Sequence, residues 1–110
     1  MNVFNTDQSA EALISRANKV LPAGSFGNMP GDIVLERGKA GRVWDIKGTE
    51  YVDYLLGSGP MFVGHAHPDV TKAITEQAPQ GTTFFANNQH GIKLAEEICE
   101  AMACADQLRF

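Results

Sequence analysis

This sequence has few cysteines, few basic residues and no long apolar run, and each shortage excludes a class of protein. Cys99 and Cys104 are its only cysteines, and without a second cysteine pair they lack the ligand set of a structural zinc site. We therefore expect free thiols. Nine lysines and arginines stand against thirteen acidic residues, for a net charge of −4. That balance argues against binding to nucleic acid, which needs clustered basic residues to neutralise phosphates.

Membrane and secretion signals are lacking as well. No apolar run approaches the roughly 20 residues that span a bilayer. The N-terminal stretch MNVFNTDQSAEA has neither the basic start nor the apolar core of a signal peptide. We expect a cytoplasmic protein that does not bind membranes. With 44% apolar and 20% charged residues in a chain of 110, the composition is that of an ordinary small globular domain.

The apolar pattern predicts an α+β arrangement that begins with a helix. Apolar residues recur at three- and four-residue steps from Ala10 to Leu21. Ser9 or Asp7 is placed to cap this helix, and Pro22 is placed to end it. Glycine, proline and asparagine are frequent over residues 23–32, which predicts a loop.

Three short runs of β-branched and aromatic residues come next and predict an antiparallel meander. The runs are Ile33 to Glu36, Arg42 to Ile46 and Glu50 to Leu55. Between the last two, Asp45 can fold its side chain back onto the turn, and Gly48 can adopt a positive φ.

Two helices complete the predicted arrangement. One begins at Pro68 and the other near Asn88, each with an apolar stripe on one face, and we expect the stripe of the first helix to be buried. The stripe residues are Val70, Ala73, Ile74 and Ala78 in the first helix and Ile92, Ala95, Ile98 and Met102 in the second.

The histidines offer little chemistry of their own. His65 and His67 could hold a metal, but the sequence supplies no third ligand at a suitable spacing. We expect a structural loop in which these histidines bond to the backbone and one caps the following helix. His90 falls in the first turn of the last helix, where a charged imidazolium would oppose the helix dipole. We expect a local structural role for it rather than that of a general base.

Glycines flank Ser58 in the run Gly57-Ser58-Gly59-Pro60, which superficially suggests a phosphate cradle. The run lacks the lysine and the directly following helix that such a cradle uses. Two interpretations stay open from the residues. The run is either a tight turn or a place where the backbone approaches a flat ligand, because glycine presents no Cβ.

A family resemblance is carried by the stretch GRVWDIKGTEYVDYLLGSGPMFVGHAHP, from Gly41 to Pro68. It is similar to the N-terminal segment of class III (fold-type I) pyridoxal-phosphate-dependent aminotransferases, and the similarity runs from about Leu21 to Phe110. The resemblance implies an N-terminal helix over residues 1–22. It implies that residues 23–110 are a truncated part of that family, comprising a segment of the small domain and the start of the large domain.

The same resemblance implies an activity. It is ping-pong transfer of an amino group between an amino acid or amine and an oxo acid or aldehyde. The implied cofactor is pyridoxal 5'-phosphate, the implied assembly is a homodimer, and a C-terminal large domain would complete each subunit.

The resemblance also implies substrate-pocket residues in three loops. They are Ser25, Phe26, Gly27, Ser58, Gly59 and Phe84. Two departures separate the chain from the glutamate-1-semialdehyde 2,1-aminomutase branch, which usually has a tryptophan where Ser58 stands and an arginine near Met29 to Gly31. Without that arginine, a substrate carboxylate lacks its bidentate partner. We therefore favour an aminotransferase of unspecified donor and keep the aminomutase as the alternative.

We expect no catalytic residue, cofactor-binding residue or metal ligand in this chain. Its lysines fall on predicted turns or polar helix faces, where an amine stays solvated, so none is a credible Schiff-base residue. They are Lys19, Lys39, Lys47, Lys72 and Lys93. Two other interpretations stay open, a non-catalytic α+β interaction module and a small metal enzyme built on the histidine loop.

Overall fold

A computed structural model describes residues 7–27 and 29–110 and confirms the predicted order of a helix, an antiparallel meander and two helices. The regular elements are α1 (Ala10–Val20), β1 (Leu35–Lys39), β2 (Arg42–Asp45), β3 (Glu50–Val52), α2 (Pro68–Gln77) and α3 (Gln89–Ala101). Short turns with 3-10 hydrogen bonds lie at Pro22–Gly24, Leu56–Ser58 and Ala78–Gln80. Of the predicted loop after α1, Asn28 lies outside the described residues, as do residues 1–6 of the predicted N-terminal helix.

The ends of α1 are set by local side-chain and backbone chemistry. The Ser9 hydroxyl accepts a hydrogen bond from the Ala12 amide at 3.3 Å, and Asp7 Oδ1 accepts one from the Ser9 amide at 2.8 Å. Ser9 is therefore the N-cap, and Asp7 holds it in place. At the other end Leu21 is extended and Pro22 follows it, so the helix ends where the proline predicts.

The strands form one antiparallel sheet in the order β1-β2-β3. The first strand is present as predicted, but its predicted bounds, Ile33 to Glu36, are wrong, because β1 pairs with β2 over Leu35–Lys39. Pairing continues to the end of β1 because a two-residue turn sets Lys39 opposite Arg42. The register shifts between Leu35 and Arg37. The β-branched residues that predict the strand, Ile33 and Val34, lie before β1.

The turn between β2 and β3 is organised by Asp45, as predicted. Its Oδ1 accepts the amides of Lys47 at 3.0 Å and Thr49 at 2.8 Å, and its Oδ2 accepts the Tyr51 hydroxyl at 3.0 Å. Gly48 takes the predicted positive φ, at 85°. Burial raises the pKa of Asp45, but the hydrogen bonds from Thr49, Tyr51 and Lys47 together outweigh it and hold that pKa below its ordinary 3.8.

The chain divides into two compact units, residues 1–71 and 72–110. In the first unit the buried apolar side chains are Ala10 and Val43. The predicted burial of the α2 stripe is wrong for this chain, since Ile74 is 60% exposed and Val70 is 46% exposed. A stripe is buried only where another element covers it, and nothing in the described part of the chain covers these two residues.

The second unit shows how α3 begins. Asn88 Oδ1 accepts the Gly91 amide at 2.9 Å, which makes Asn88 the N-cap and confirms the predicted start of this helix. Before it, the Gln77 side chain donates to the Gly81 carbonyl at 2.8 Å and closes the end of α2. None of the helices within the described ranges is long and apolar enough to cross a membrane.

Candidate functional site

The carboxylate of Asp53 organises the loop that follows β3. Its Oδ1 accepts the amides of Leu55 at 2.8 Å and Leu56 at 2.9 Å. Its Oδ2 lies 2.6 Å from His65 Nε2. One side chain therefore holds both ends of the loop over residues 53–65. The predicted third strand, Glu50 to Leu55, ends early at Val52 because these amides bond to the carboxylate instead of a neighbouring strand.

The backbone of Leu55 and Leu56 suits this role. Leu55 is right-handed helical, with φ −83° and ψ −29°, and Leu56 is left-handed, with φ 50°. Successive residues of opposite hand turn their amides into one concavity that binds an anion. Here the anion is the carboxylate of Asp53 itself, so the two amides that precede the glycine-rich run are already occupied.

A left-handed turn follows directly. Leu56, Gly57, Ser58 and Gly59 have φ values of 50°, 64°, 66° and 113°. The Ser58 amide donates to the Leu55 carbonyl at 3.0 Å, and the amides of Gly59 and Met61 both donate to the Leu56 carbonyl at 3.1 Å. Glycine adopts this region at little cost, whereas Leu56 and Ser58 are strained in it. Such strain persists only where surrounding contacts impose it.

The contacts that impose it come from the turn between β1 and β2. His65 exchanges two backbone hydrogen bonds with Ala40, at 2.8 and 2.9 Å, and the Asp53 amide donates to the Gly41 carbonyl at 2.9 Å. The His65 ring lies against Gly38, where an added Cβ would come within 2.5 Å of the ring Cγ. Both ends of the loop are thus fixed to the sheet.

The electrostatics of Asp53 and His65 follow from these contacts. The hydrogen bond from His65 is the largest of several effects that lower the pKa of Asp53 below its ordinary 3.8, and the Leu56 amide adds to it. Burial opposes the shift without cancelling it. The two side chains are mostly buried, with 12% of the Asp53 side chain and 22% of the His65 side chain exposed.

A cleft of about 880 Å³ lies in the first unit and brings several of the expected pocket residues together. One face of α1, residues 24–27 and 29–31, the start of β1 and Ser58 line it. Ser25, Phe26 and Gly27 therefore share one cleft with Ser58 although they come from a different loop. Gly59 is not among the lining residues, and Phe84 belongs to the second unit, where it is 51% exposed.

The loop before β1 is held by its own serine. Ser25 Oγ donates to the Met29 carbonyl and lies 3.4 Å from the Gly27 carbonyl. The Cβ that Gly31 lacks would clash with the Gly24 carbonyl oxygen at 2.4 Å, so the loop crosses itself closely where only glycine fits. Phe26 is left 96% exposed at the edge of the cleft.

The three histidines differ in how well they match their predicted partners. The His65 ring binds the Asp53 carboxylate and not a backbone group, so that expectation is wrong, because the expected partner is local and the actual one is 12 residues away. His67 Nδ1 is buried without a hydrogen-bond partner. His90 Nε2 lies 3.0 Å from Gln77 Oε1, a local contact as predicted. Among the described residues there is no group of three His, Cys, Asp or Glu side chains that could hold a metal.

The residues present do not fit a pyridoxal cofactor. All five lysines of the chain are exposed, and Lys47 is paired with Glu11 at 2.8 Å. A Schiff-base lysine needs the opposite, a desolvated amine beside the cofactor. The amides of Leu55 and Leu56 are bonded to Asp53, and those of Ser58 and Gly59 to carbonyls of the same turn, so these four amides are not available to a phosphate.

Sequence reasoning missed Asp53, His65 as its partner, and Gly38. One signal was available for Asp53, because an aspartate two residues before the start of a turn commonly bonds the amides that follow it. No local signal links Asp53 to His65 or His65 to Gly38, since both contacts depend on how the loop returns to the sheet.

Comparison with known proteins identifies the family. Residues 24–110 match the family described as aminotransferase class III. The chain belongs to this family. A glutamate-1-semialdehyde 2,1-aminomutase from Chloroflexus aurantiacus is 38% identical over 110 residues, covering 92% of this chain and 24% of the relative. The chain thus spans about a quarter of the length of the curated relatives it matches.

Solved structures of class III enzymes share the fold. An omega-transaminase from Sphaerobacter thermophilus superposes with a TM-score of 0.79 at 30% identity, covering 97% of this chain and 26% of that one. A transaminase with PLP bound superposes with a TM-score of 0.72 at 30% identity, covering 83% of this chain and 22% of that one. The resemblance drawn from Gly41 to Pro68 is confirmed.

Proposed function

We propose that this chain is the N-terminal segment of a pyridoxal 5'-phosphate-dependent class III aminotransferase and forms part of the wall of its substrate pocket. The observation that carries this proposal is the convergence of Ser25, Phe26, Gly27 and Ser58, from two separate loops, on one cleft. The enzyme would transfer an amino group between an amino acid or amine and an oxo acid or aldehyde. When bound, the cofactor acts as the electron sink for that chemistry.

The cleft itself suggests how substrates are held. Phe26, Met29 and Leu35 give it an apolar lining, and Arg16 and Lys19 place positive charge beside it. Such a combination favours a substrate with an apolar body and a carboxylate, since positive groups raise the local concentration of anions. We propose Gly59 and Phe84 as further pocket residues of the assembled enzyme.

The cofactor would be held by other parts of the enzyme. The family relationship to a transaminase with PLP bound supports the cofactor, and the exposed lysines and occupied amides favour a place for it outside this chain. We propose that residues 1–22 are an N-terminal segment that contains α1, and that residues 23–110 are part of the small domain with the start of the large domain. The large domain and a second subunit would complete a cytoplasmic homodimer.

Aminomutase activity is the second candidate, and the 38% identity to an aminomutase favours it. Two features oppose it. Ser58 stands where that branch usually has tryptophan, and residues 29–31 are Met-Pro-Gly, with no arginine to meet a carboxylate. We therefore place aminotransferase first.

The experiment that tests the function is an assay of the enzyme carrying this segment, supplied with pyridoxal phosphate. Amines and amino acids are offered with an oxo acid, and both products are measured. Amino transfer that requires both partners supports an aminotransferase. Isomerisation of one substrate without a second partner would place the aminomutase first, and the absence of both reactions would overturn the proposed function.

A further inference from the structure

We propose that Asp53 and His65 form a positioning pair that sets substrate selectivity by holding Ser58 at the cleft, although neither residue lines the cleft. This inference rests on the proposed function. Its basis is that one carboxylate, bonded to Leu55, Leu56 and His65 at 2.6 to 2.9 Å, closes the loop whose middle carries Ser58.

The Asp53 carboxylate closes the loop over residues 53–65. Leu55 and Leu56 bind one oxygen of Asp53, and His65 binds the other. The carboxylate therefore couples the start of the loop to its end. Without it, the loop would keep its own turn hydrogen bonds, the two backbone bonds between His65 and Ala40, and the bond from the Asp53 amide to the Gly41 carbonyl, but no contact would join its start directly to its end.

The backbone between the two ends of this loop is strained. Ser58, with a φ of 66°, is one of two non-glycine residues in the left-handed run. An L-residue leaves this conformation when the contacts that impose it are removed. Because Ser58 lines the cleft, its relaxation would change the shape of the pocket. The pair thus acts on the substrate through Ser58.

The imidazole of His65 is held in place against Gly38. Gly38 leaves room for the His65 ring, and a Cβ there would lie 2.5 Å from Cγ, 2.8 Å from Cβ and 2.9 Å from Nδ1 of that histidine. The atoms met are close to the His65 backbone, which is fixed to Ala40. Rotation of the ring cannot relieve the contact with Cβ, so the backbone of His65 or of β1 would have to shift, and the ring would move relative to Asp53.

This close contact supplies a variant that touches neither member of the pair. Gly38→Ala displaces the His65 ring, whereas Gly41→Ala adds the same methyl group at the adjoining turn, where nothing lies within 4 Å of the new Cβ. Gly41→Ala is therefore the matched control. His65→Ala removes the ring outright, and His65→Gln keeps an amide donor for Asp53.

The experiment measures kcat and KM of the complete enzyme for a small and a bulky amino donor. We expect Gly38→Ala and His65→Ala to change the ratio of the two kcat/KM values by about tenfold, the scale on which a pocket senses one methylene. Gly41→Ala should keep the wild-type ratio, and His65→Gln should restore most of it. Hydrogen exchange of the Leu55 and Leu56 amides should be faster in Gly38→Ala and unchanged in Gly41→Ala.

Different results would contradict the positioning role of Asp53 and His65 and the proposed pocket wall. If Gly38→Ala and His65→Ala keep the wild-type ratio, or slow both donors equally, the pair has no positioning role. If those variants leave the ratio of the two kcat/KM values unchanged while Ser58→Trp still changes it, this inference fails and the proposed pocket wall stands. If Ser58→Trp is silent as well, the pocket wall fails too. Should Gly38→Ala not fold, His65→Ala with its glutamine rescue decides the matter.

Discussion

Asp53 Oδ2 lies 2.6 Å from His65 Nε2, and this contact joins the end of β3 to the segment that leads into α2. The same carboxylate bonds the Leu55 and Leu56 amides through its other oxygen. A loop rich in glycine, which would otherwise sample many conformations, is thereby held in a single left-handed turn.

The ionised form of Asp53 should stabilise the fold. Its pKa lies below the ordinary 3.8 in the folded chain, chiefly through the hydrogen bond from His65. Its contribution is therefore fully present above pH 3.8 and is lost as the pH falls through the lowered pKa. We expect Asp53→Asn to lower the urea midpoint at pH 7, and the difference from wild type to shrink at pH 3.

A control separates this effect from a general loss of charge. Glu96→Gln removes one negative charge from an exposed position of α3 and should leave the urea midpoint nearly unchanged at pH 7. An equal loss in the two variants, or a difference for Asp53→Asn that does not depend on pH, would contradict the account.

The turn between β2 and β3 should be sensitive to backbone strain. Gly48 has a φ of 85°, and an added Cβ there would meet no atom within 4 Å, so Gly48→Ala tests strain without a clash. We expect a loss of about 1 kcal/mol in the free energy of unfolding. Gly41→Ala, which also meets open space but has no positive φ, should cost less. Equal losses in urea unfolding would remove strain as the cause.

The chain by itself should not retain pyridoxal phosphate. Every lysine is exposed, and a solvated amine stays protonated at neutral pH. After mixing and gel filtration we expect no visible absorbance band to travel with the protein. A stable band that disappears on changing one particular lysine would show that the chain holds a cofactor site of its own.

The apolar faces of α2 and α3 should drive self-association of the isolated chain. Ile74 is 60% exposed and Ile92 is 49% exposed, and contiguous exposed apolar surface marks an interface or an aggregation site. We expect sedimentation velocity to show larger species as the concentration rises, and Ile74→Gln with Ile92→Gln to reduce them. Lys72→Gln, on an exposed position of α2, is the control. A monomer at every concentration would favour an independent interaction module.

How far the sequence predicts this protein depends on the range of each interaction. The caps Ser9 and Asn88 and the turn at Asp45 use partners within four residues, so residue type and spacing predict them. The contact of Asp53 with His65 spans 12 residues and left no local trace. The apolar stripes of α2 and α3 mark faces suited to burial, but periodicity cannot say which partner covers them.

Donor selectivity of the complete enzyme carrying Ser58→Trp decides whether this chain walls the substrate pocket, and it is measured as the ratio of the kcat/KM values for a small and a bulky amino donor. Ser58 lines the cleft, so a larger side chain should disfavour the bulky donor by about tenfold relative to the small one. Ser15→Trp, on an exposed position of α1 that does not line the cleft, should keep the wild-type ratio. A ratio in Ser58→Trp equal to that of wild type would contradict the claim that this chain walls the substrate pocket.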